Sequence, residues 1–155
     1  MAQEIFIGSD HRGYELKNQL AQSLSNQGYS VIDLGPDHFD PDDDYNDYAI
    51  RVAKAVQEAT SEDARGILVC GSAHGVAIQA NRFKGVRAIA AYDDALAKIG
   101  REHNDANVLC LSADFIDNNK IDSIANTFLN TDFSGEERHV RRIKKLDSNL
   151  GEEEG

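Results

Sequence analysis

In this 155-residue chain, the strongest candidates for catalytic residues lie between Cys70 and Gly75. Cys70 is the last residue of the apolar run Ile67–Cys70. A thiol at a strand end, in front of a predicted helix start, lies near unpaired backbone N–H groups. These favour the thiolate, which can take a proton from carbon. The turn that follows consists of Gly71, Ser72, Ala73, His74 and Gly75. Its backbone can direct several N–H donors at one point, as an oxyanion or a phosphate requires. Two simpler interpretations stay open: a buried cysteine used as a small hydrophobic residue, and an ordinary strand-to-helix turn.

Other ionisable side chains follow further predicted strands. Asp10 and His11 follow the first apolar run after Ser9, and His103 and Asn104 follow the fourth within one short helix. Histidine exchanges protons near neutral pH, so these positions suit acid–base catalysis. For each of them, a hydrogen-bonded surface residue at a helix start is the alternative.

The last predicted helix carries three arginines, Arg138, Arg141 and Arg142. Arg138 and Arg142 are four residues apart and therefore project from one face. Together they could hold a phosphate. From charge alone, a solvated basic face that pairs with the acidic surface is the better explanation. A capping box at Ser134–Glu137 is predicted to start this helix. Its apolar face is formed by Val140, Ile143, Leu146 and Leu150.

Composition limits the classes of partner. The formal net charge of −11 argues against nucleic acid and anionic membrane surfaces, but not against a small anion gathered by a few basic residues. We expect no signal peptide and no membrane span. Cys70 and Cys110 both end apolar runs, so a disulfide framework is not expected and a reducing cytoplasm is the predicted location.

A metal site is not expected either. The acidic stretch 40–47 lacks the glycine and the glutamate that a calcium loop needs, and a solvated loop is the better interpretation. No pair of histidines has metal-ligand spacing.

These side chains must be positioned by a repeated alternation of strands and helices. Five short apolar runs predict strands at Glu4–Gly8, Ser30–Leu34, Gly66–Cys70, Val86–Ala90 and Asn107–Leu111. Two sets of residues between them have helical spacing: Leu16, Leu20 and Leu24, then Tyr48, Val52 and Val56. The alternation predicts an α/β fold, a single-domain, doubly wound (Rossmann-like) five-stranded parallel sheet with helices on both faces and a C-terminal helix. We assign residues 1–150 to this domain and residues 151–155 to a frayed acidic tail.

Ligands of such sheets bind beyond the carboxyl ends of the strands, where the strand order reverses. A strand order of 2-1-3-4-5 would place the first and third strands on either side of that point. Asp10 and His11 would then share one cleft with Cys70 and its turn.

Five stretches of the chain, taken in order, resemble the type B ribose-5-phosphate isomerase family, which also includes the galactose-6-phosphate isomerases. They are GSDHRGYELK (8–17), DDDYNDYA (42–49), GILVCGSAHGVAIQANRFKGVRA (66–88), REHNDANVL (101–109) and ERHVRRI (137–143). The resemblance runs from Ile5 to about Leu146, nearly the whole chain. No single stretch is decisive, whereas five in order at the right separations are specific.

The resemblance implies aldose–ketose isomerisation of a sugar phosphate through an enediolate, without a metal or an organic cofactor. Cys70 would be the base that moves a proton between C1 and C2. Some relatives use a glutamate just beyond this turn, but that place is held by Val76. Ser72 and the backbone from Gly71 to Gly75, including Ala73 and His74, would hold the developing oxyanion.

The resemblance also implies roles for the other candidates. His103, helped by Asp10, would open the furanose ring, and Asn104 would bind sugar oxygens. The phosphate would be held by His11, Arg138 and Arg142. Members of the family are dimers, often paired into tetramers, with each site built from two subunits. We therefore expect a homodimer or homotetramer.

Three positions depart from the family pattern. Ala73 stands in place of a glycine, His74 adds an imidazole where the family has a small or apolar residue, and Asp114 replaces an arginine that helps to bind phosphate. For Asp114 there are two expectations: it lies near the phosphate, or it caps the next helix.

The leading hypothesis is an isomerase that interconverts ribose 5-phosphate and ribulose 5-phosphate. The altered turn at 73–74 leaves open a six-carbon substrate of the galactose 6-phosphate or allose 6-phosphate type. A sugar-phosphate-binding protein without turnover is the third hypothesis. The presence of Cys70, His103 and Asn104 together argues against it. The choice of sugar, and of dimer or tetramer, stays open at this point.

Overall fold

A computed structural model describes residues 2–150 of the chain, and residues 151–155, the predicted tail, lie outside the described residues. The strands are β1 (Glu4–Ser9), β2 (Ser30–Asp33), β3 (Arg65–Cys70), β4 (Ala88–Ala90) and β5 (Val108–Ser112). The helices are α1 (Tyr14–Asn26), α2 (Tyr45–Glu58), α3 (His74–Ala80), α4 (Asp94–Asn104), α5 (Asn118–Asn130) and α6 (Glu137–Lys145). A 3₁₀ turn at His11–Gly13 leads into α1. From residue 2 to residue 150, no helix combines the length and the apolar character that crossing a membrane requires.

The five strands form one parallel sheet in the order β2-β1-β3-β5-β4. The predicted α/β fold is confirmed, but the predicted order 2-1-3-4-5 is wrong at its last two strands. Every residue of β5 is buried, which suits an inner strand, whereas all three residues of β4 are half-buried and suit an edge. As a result β5 lies beside β3, and Ser112 is paired with Cys70.

Alternate residues of β3 point into two hydrophobic cores, one on each face of the sheet. Ile67 and Val69 pack into the core that contains the inward face of α1, formed by Leu16, Leu20 and Leu24 as predicted. Leu68 and Cys70 pack into the opposite core, with Val52 of α2 and Val76 of α3. Helices therefore cover both faces, and the carboxyl ends of the strands are the place left for a ligand.

The start and end of α6 differ from the prediction. The helix begins at Glu137, and its cap residue, Glu136, makes no side-chain capping hydrogen bond. The predicted capping box is therefore wrong: Ser134 Oγ accepts the N–H of Glu136 over 3.4 Å instead. The helix ends at Lys145, so Leu146 and Leu150 lie beyond it and are 55% and 40% exposed rather than part of an apolar helix face.

Candidate active site

Cys70 is the last residue of β3 and is only 5% exposed. The backbone N–H of Ala73 donates a hydrogen bond to its Sγ over 3.2 Å. A donor directed at the sulfur stabilises the thiolate, which is the form that can accept a proton from carbon. On the side of β5, the N–H of Ala113 donates to the carbonyl oxygen of Cys70 over 2.9 Å and fixes the strand end. Cys110 differs, because burial raises its pKa strongly and it stays a protonated core residue.

The turn after Cys70 is held in one conformation by hydrogen bonds to its carbonyl groups. Ala73 has a φ of 73°, in the left-handed region that residues with a Cβ rarely adopt. Ser112 Oγ donates to the carbonyl oxygen of Gly71 over 2.6 Å, and the Tyr92 hydroxyl donates to that of Ser72. These contacts fix the direction of the peptide groups that would face an oxyanion.

The last two residues of the turn begin α3. His74 is exposed, and its backbone N–H donates to Ser72 Oγ over 3.2 Å. A Cβ at Gly75 would lie 2.7 Å from the ring of Tyr45, so glycine is what allows α2 to approach the turn so closely. The turn is thus packed against α2 on this side.

Asp10 lies at the same edge of the sheet as Cys70. Ser9 is paired with Val69, and the N–H of Asp10 donates to the carbonyl oxygen of Val69 over 3.2 Å. The Asp10 carboxylate accepts the N–H of Gly13 over 3.1 Å, and this caps the 3₁₀ turn. Burial raises the pKa of Asp10 above its ordinary value of 3.8. The predicted meeting of the first and third strand ends is therefore confirmed.

His11 is oriented by Asp43, a residue of the acidic loop before α2. Nδ1 of His11 lies 2.8 Å from Oδ1 of Asp43, and the backbone N–H of His11 donates to the same oxygen over 3.1 Å. The Asp43 side chain is 4% exposed, and its Oδ2 has no hydrogen-bond partner within residues 2–150. With Nδ1 engaged by Asp43, Nε2 is the ring nitrogen left for a ligand.

Asp114 forms an ion pair with Arg12 beside the turn. Nε and Nη2 of Arg12 both donate to Oδ2 of Asp114, the first over 2.9 Å. The pair lies over Gly71, since a Cβ at Gly71 would come within 2.8 Å of Arg12 Nε and 2.9 Å of Asp114 Oδ2. Of the two expectations for Asp114, the helix cap is wrong, because α5 begins only at Asn118 with Asp117 as its cap residue.

His103 and Asn104 lie at the opposite end of the sheet from Cys70. Since α4 connects the carboxyl end of β4 to the amino end of its parallel neighbour β5, it runs antiparallel to both strands. His103 and Asn104 are the last of its 11 residues, about 16 Å from its start at the usual rise per residue. Asn104 lines a surface cleft with Arg87 and Ala88, at the amino end of β4. The expectation that His103 and Asn104 lie at the carboxyl end of a strand is therefore wrong, because α4 carries them to the other end of the sheet.

Helix α6 packs on α4 next to His103. The imidazole rings of His103 and His139 are stacked, with centroids 4.4 Å apart and planes inclined by 17°. Arg138 and Arg142 line an open cleft on α6, together with Glu136, Glu137 and Arg141. Neither Cys70 nor its turn lines this cleft.

The structure thus divides the predicted site residues into two groups. We call the first the Cys70 group; it consists of Asp10, His11 and residues 70–75 at the carboxyl edge of the sheet. We call the second the His103 group; it consists of His103, Asn104, Arg138 and Arg142 near the amino edge. Among residues 2–150, no three His, Cys, Asp or Glu side chains are clustered as a metal ion would require.

Several residues that contact these groups were not predicted from the sequence, among them Arg12, Asp43, Tyr92 and His139. Arg12 and His139 stand inside two of the stretches that carry the family resemblance, so attention to every polar residue there could have found them. Asp43 and Tyr92 reach the site across 32 and 20 residues of chain respectively, and no local pattern signals contacts of that range.

The chain is similar to known proteins over nearly its full length. The sequence model of the Ribose/Galactose Isomerase family matches residues 5–146. A Mycoplasma genitalium protein named "Probable ribose-5-phosphate isomerase B" is 42% identical over 146 residues, which cover 94% of this chain and 95% of that protein. The crystal structure of ribose-5-phosphate isomerase B from M. genitalium with bound ribulose-5-phosphate has a TM-score of 0.88 at 41% identity, covering 94% of this chain and 95% of that chain. A ribose 5-phosphate isomerase from Thermotoga maritima has a TM-score of 0.89 at 37% identity, covering 96% and 99%.

Proposed function

Since the chain belongs to the ribose/galactose isomerase family, we propose that it interconverts ribose 5-phosphate and ribulose 5-phosphate. The observation that carries this proposal is the hydrogen bond from the Ala73 N–H to Cys70 Sγ at the edge of the sheet where Asp10 and His11 also lie. The relative of M. genitalium, 41% identical, was crystallised with ribulose-5-phosphate, which supports a five-carbon substrate.

The proposed proton transfer needs no external oxidant or reductant. The Cys70 thiolate takes the proton from C2 of the open-chain aldose, and the electron pair of that C–H bond forms the enediolate. The thiol then returns the proton to C1, while a proton moves from the C2 oxygen to the C1 oxygen. Negative charge develops on the substrate oxygens, which Ser72 and the backbone N–H groups of residues 71–75 would stabilise.

Ring opening precedes this transfer, because the aldose phosphate is mainly a closed furanose. We assign this step to His103, which would protonate the ring oxygen as the C1 hydroxyl is deprotonated. Asn104 would bind the sugar hydroxyls. The phosphate would be held by His11, Arg138 and Arg142.

A homodimer is the simplest assembly in which these residues can act together. Within one chain, the Cys70 group lies at the carboxyl ends of the strands and the His103 group lies near their amino ends. One chain alone therefore does not bring both groups to one substrate. In a twofold dimer, the His103 group of one protomer would face the Cys70 group of the other, and two equal sites would result. Two such dimers could pair into a tetramer without changing this argument. Because Cys70 must remain a free thiol, we place the enzyme in a reducing cytoplasm.

The test is a steady-state assay with ribose 5-phosphate, allose 6-phosphate and galactose 6-phosphate on the wild type and two variants. We expect the highest kcat/KM with ribose 5-phosphate. Cys70→Ala should lose about a thousandfold or more in kcat, while sugar-phosphate binding stays within a few-fold. Cys110→Ala, which removes the neighbouring core thiol, is the matched control and should stay active.

Three other results would contradict the proposal. A hexose phosphate as the best substrate would favour the six-carbon hypothesis. Binding without any turnover by the wild type would indicate a non-catalytic protein. Full activity of Cys70→Ala would make Cys70 a core residue and remove it from the mechanism.

A further inference from the structure

The Arg12–Asp114 ion pair stands at the rim of the Cys70 group in a negatively charged setting. Asp10 is 7% exposed, and the side chain of Asp43 is 4% exposed. Asp10 accepts a hydrogen bond from Gly13 and Asp43 accepts one from His11, and these two donor residues flank Arg12 in the sequence. Asp114 adds a third carboxylate. Within this group of contacts, Arg12 is the one residue with a permanent positive charge. A phosphate dianion that approaches Cys70 therefore meets three carboxylates and one guanidinium.

The guanidinium is partly free to bind a ligand. The planar guanidinium group of arginine carries several N–H donors. One on Nε and one on Nη2 donate to Oδ2 of Asp114. Nη1 has no hydrogen bond to any other group of residues 2–150, and the Arg12 side chain is 56% exposed. The edge between Nη1 and Nη2 can thus face a phosphate in the bidentate geometry that suits arginine.

The pair also has a defined position. The N–H of Asp114 donates to the carbonyl oxygen of Gly71 over 3.1 Å, so the backbone of Asp114 is fixed to the turn after Cys70. Arg12 follows His11 directly, on a 3₁₀ turn that the Asp10 carboxylate caps. The guanidinium is therefore held between the residue proposed to bind the phosphate and the turn proposed to bind the oxyanion.

From these contacts we propose that Arg12 binds the phosphate of the substrate, on the same chain as Cys70, and that Asp114 is the positioning residue for its guanidinium. The inference rests on the proposed function of the Cys70 group. It adds a cation from this chain's own half of the site to the two arginines that the partner would supply. An ion pair that merely neutralises Asp114 is the competing explanation.

The experiment compares four variants with the wild type: Arg12→Ala, Arg12→Lys, the double variant Arg12→Ala/Asp114→Asn, and the control Lys54→Ala. For each we would measure kcat and KM with ribose 5-phosphate and the inhibition constant of inorganic phosphate. Lys54 is an exposed cation on α2, so its removal reports the effect of net charge alone. A melting curve of each variant shows whether it is folded, and Arg12→Gln replaces Arg12→Ala if the alanine variant is not.

We expect Arg12→Ala to raise KM and the phosphate inhibition constant roughly ten- to a hundredfold, the change that loss of a charge-assisted hydrogen bond produces, while kcat stays within about threefold. Arg12→Lys should restore part of the loss, and Lys54→Ala should match the wild type. The double variant should keep the raised constants, because the contact to the phosphate is gone.

Two results would overturn the inference. Unchanged constants in Arg12→Ala would remove Arg12 from the phosphate site. A return of the double variant to wild-type constants would show that Arg12 only neutralises Asp114.

Failure of the proposed function is recognised separately, since the wild type would then not isomerise ribose 5-phosphate. In that case the binding of inorganic phosphate, measured by calorimetry, still decides the role of Arg12.

Discussion

Asp43 Oδ1 accepts the backbone N–H of His11 and lies 2.8 Å from Nδ1 of its ring, so one carboxylate oxygen fixes both the backbone and the imidazole of the same residue. The contact joins the end of β1 to the loop before α2, across 32 residues of chain. It determines which ring nitrogen His11 can offer to a substrate. A protonated His11 would pair with Asp43 through Nδ1 and present Nε2–H to a phosphate.

We predict that Asp43→Asn raises KM for ribose 5-phosphate roughly fivefold and leaves kcat nearly unchanged. The amide keeps the shape and can still accept a hydrogen bond, but it loses the charge that makes the bond strong. The measurement is steady-state kinetics, with Asp44→Asn as the control, since Asp44 is exposed and makes no side-chain capping bond. A fivefold loss of kcat with no change in KM would instead place Asp43 outside phosphate binding.

Asp10 offers a prediction on pH. Burial raises its pKa in the folded protein above 3.8, so the folded state holds this proton more strongly than the unfolded state does. Stability from this group is therefore greatest below pH 3.8 and is lost as the pH rises from there through the raised pKa. Asp10→Asn should unfold at higher urea concentration than the wild type at pH 7, and this gain should shrink when both are measured at acid pH. A variant that is less stable at pH 7 would show that the ionised carboxylate contributes more through its bond to Gly13 than burial costs.

Ala73 is the residue of the turn whose backbone conformation has a cost. A φ of 73° places its Cβ close to backbone atoms, a penalty of about 1 kcal/mol that glycine does not have. Glycine relieves this strain, but it also removes a buried methyl group and adds freedom to the unfolded chain. We therefore expect Ala73→Gly to leave the free energy of unfolding, measured with urea at fixed protein concentration, nearly unchanged. Ala77→Gly, in the middle of α3, is the control and should lower it by about 1 kcal/mol. Destabilisation of similar size in both variants would mean that the turn has no strain to relieve.

The sequence predicted the sheet well where a residue pattern reflects burial. Leu16, Leu20 and Leu24 have helical spacing and do form the inward face of α1. The family resemblance and the isomerase class are confirmed by the family model over residues 5–146 and by relatives of 42% identity. The order of β4 and β5 was missed because both are short apolar runs. Only the full burial of β5, which depends on its neighbours, makes it the inner strand.

The position of His103 was missed for a different reason. It was grouped with residues that follow a strand, although a helix of 11 residues separates it from the end of β4 and carries it to the other edge of the sheet. The length of that helix was available in the sequence. The Arg12–Asp114 pair was not, because its partners are 102 residues apart and each also suits a solvated surface.

His103→Ala should affect a cyclic substrate more than an open one. Turnover of ribose 5-phosphate needs ring opening, for which a general acid–base is typically worth about 10²–10⁴-fold. Ribulose 5-phosphate cannot close a furanose ring, because its C5 oxygen carries the phosphate. Exchange of its C1 proton with solvent deuterium, followed by NMR, should therefore fall much less in the variant. His38→Ala, at an exposed histidine, is the control, and equal losses on both substrates would remove His103 from ring opening.

In the proposed dimer, a working site combines the Cys70 group of one protomer with the His103 group of the other. The most direct measurement is to mix Cys70→Ala with His103→Ala, let the subunits exchange, and assay the mixture with ribose 5-phosphate. Each variant alone should be nearly inactive. The mixture should recover roughly a quarter of the wild-type activity, since random exchange in a twofold dimer joins the two intact groups in about that share of the sites. A mixture no more active than its parents, although subunit exchange is shown by mass spectrometry, would contradict the shared site.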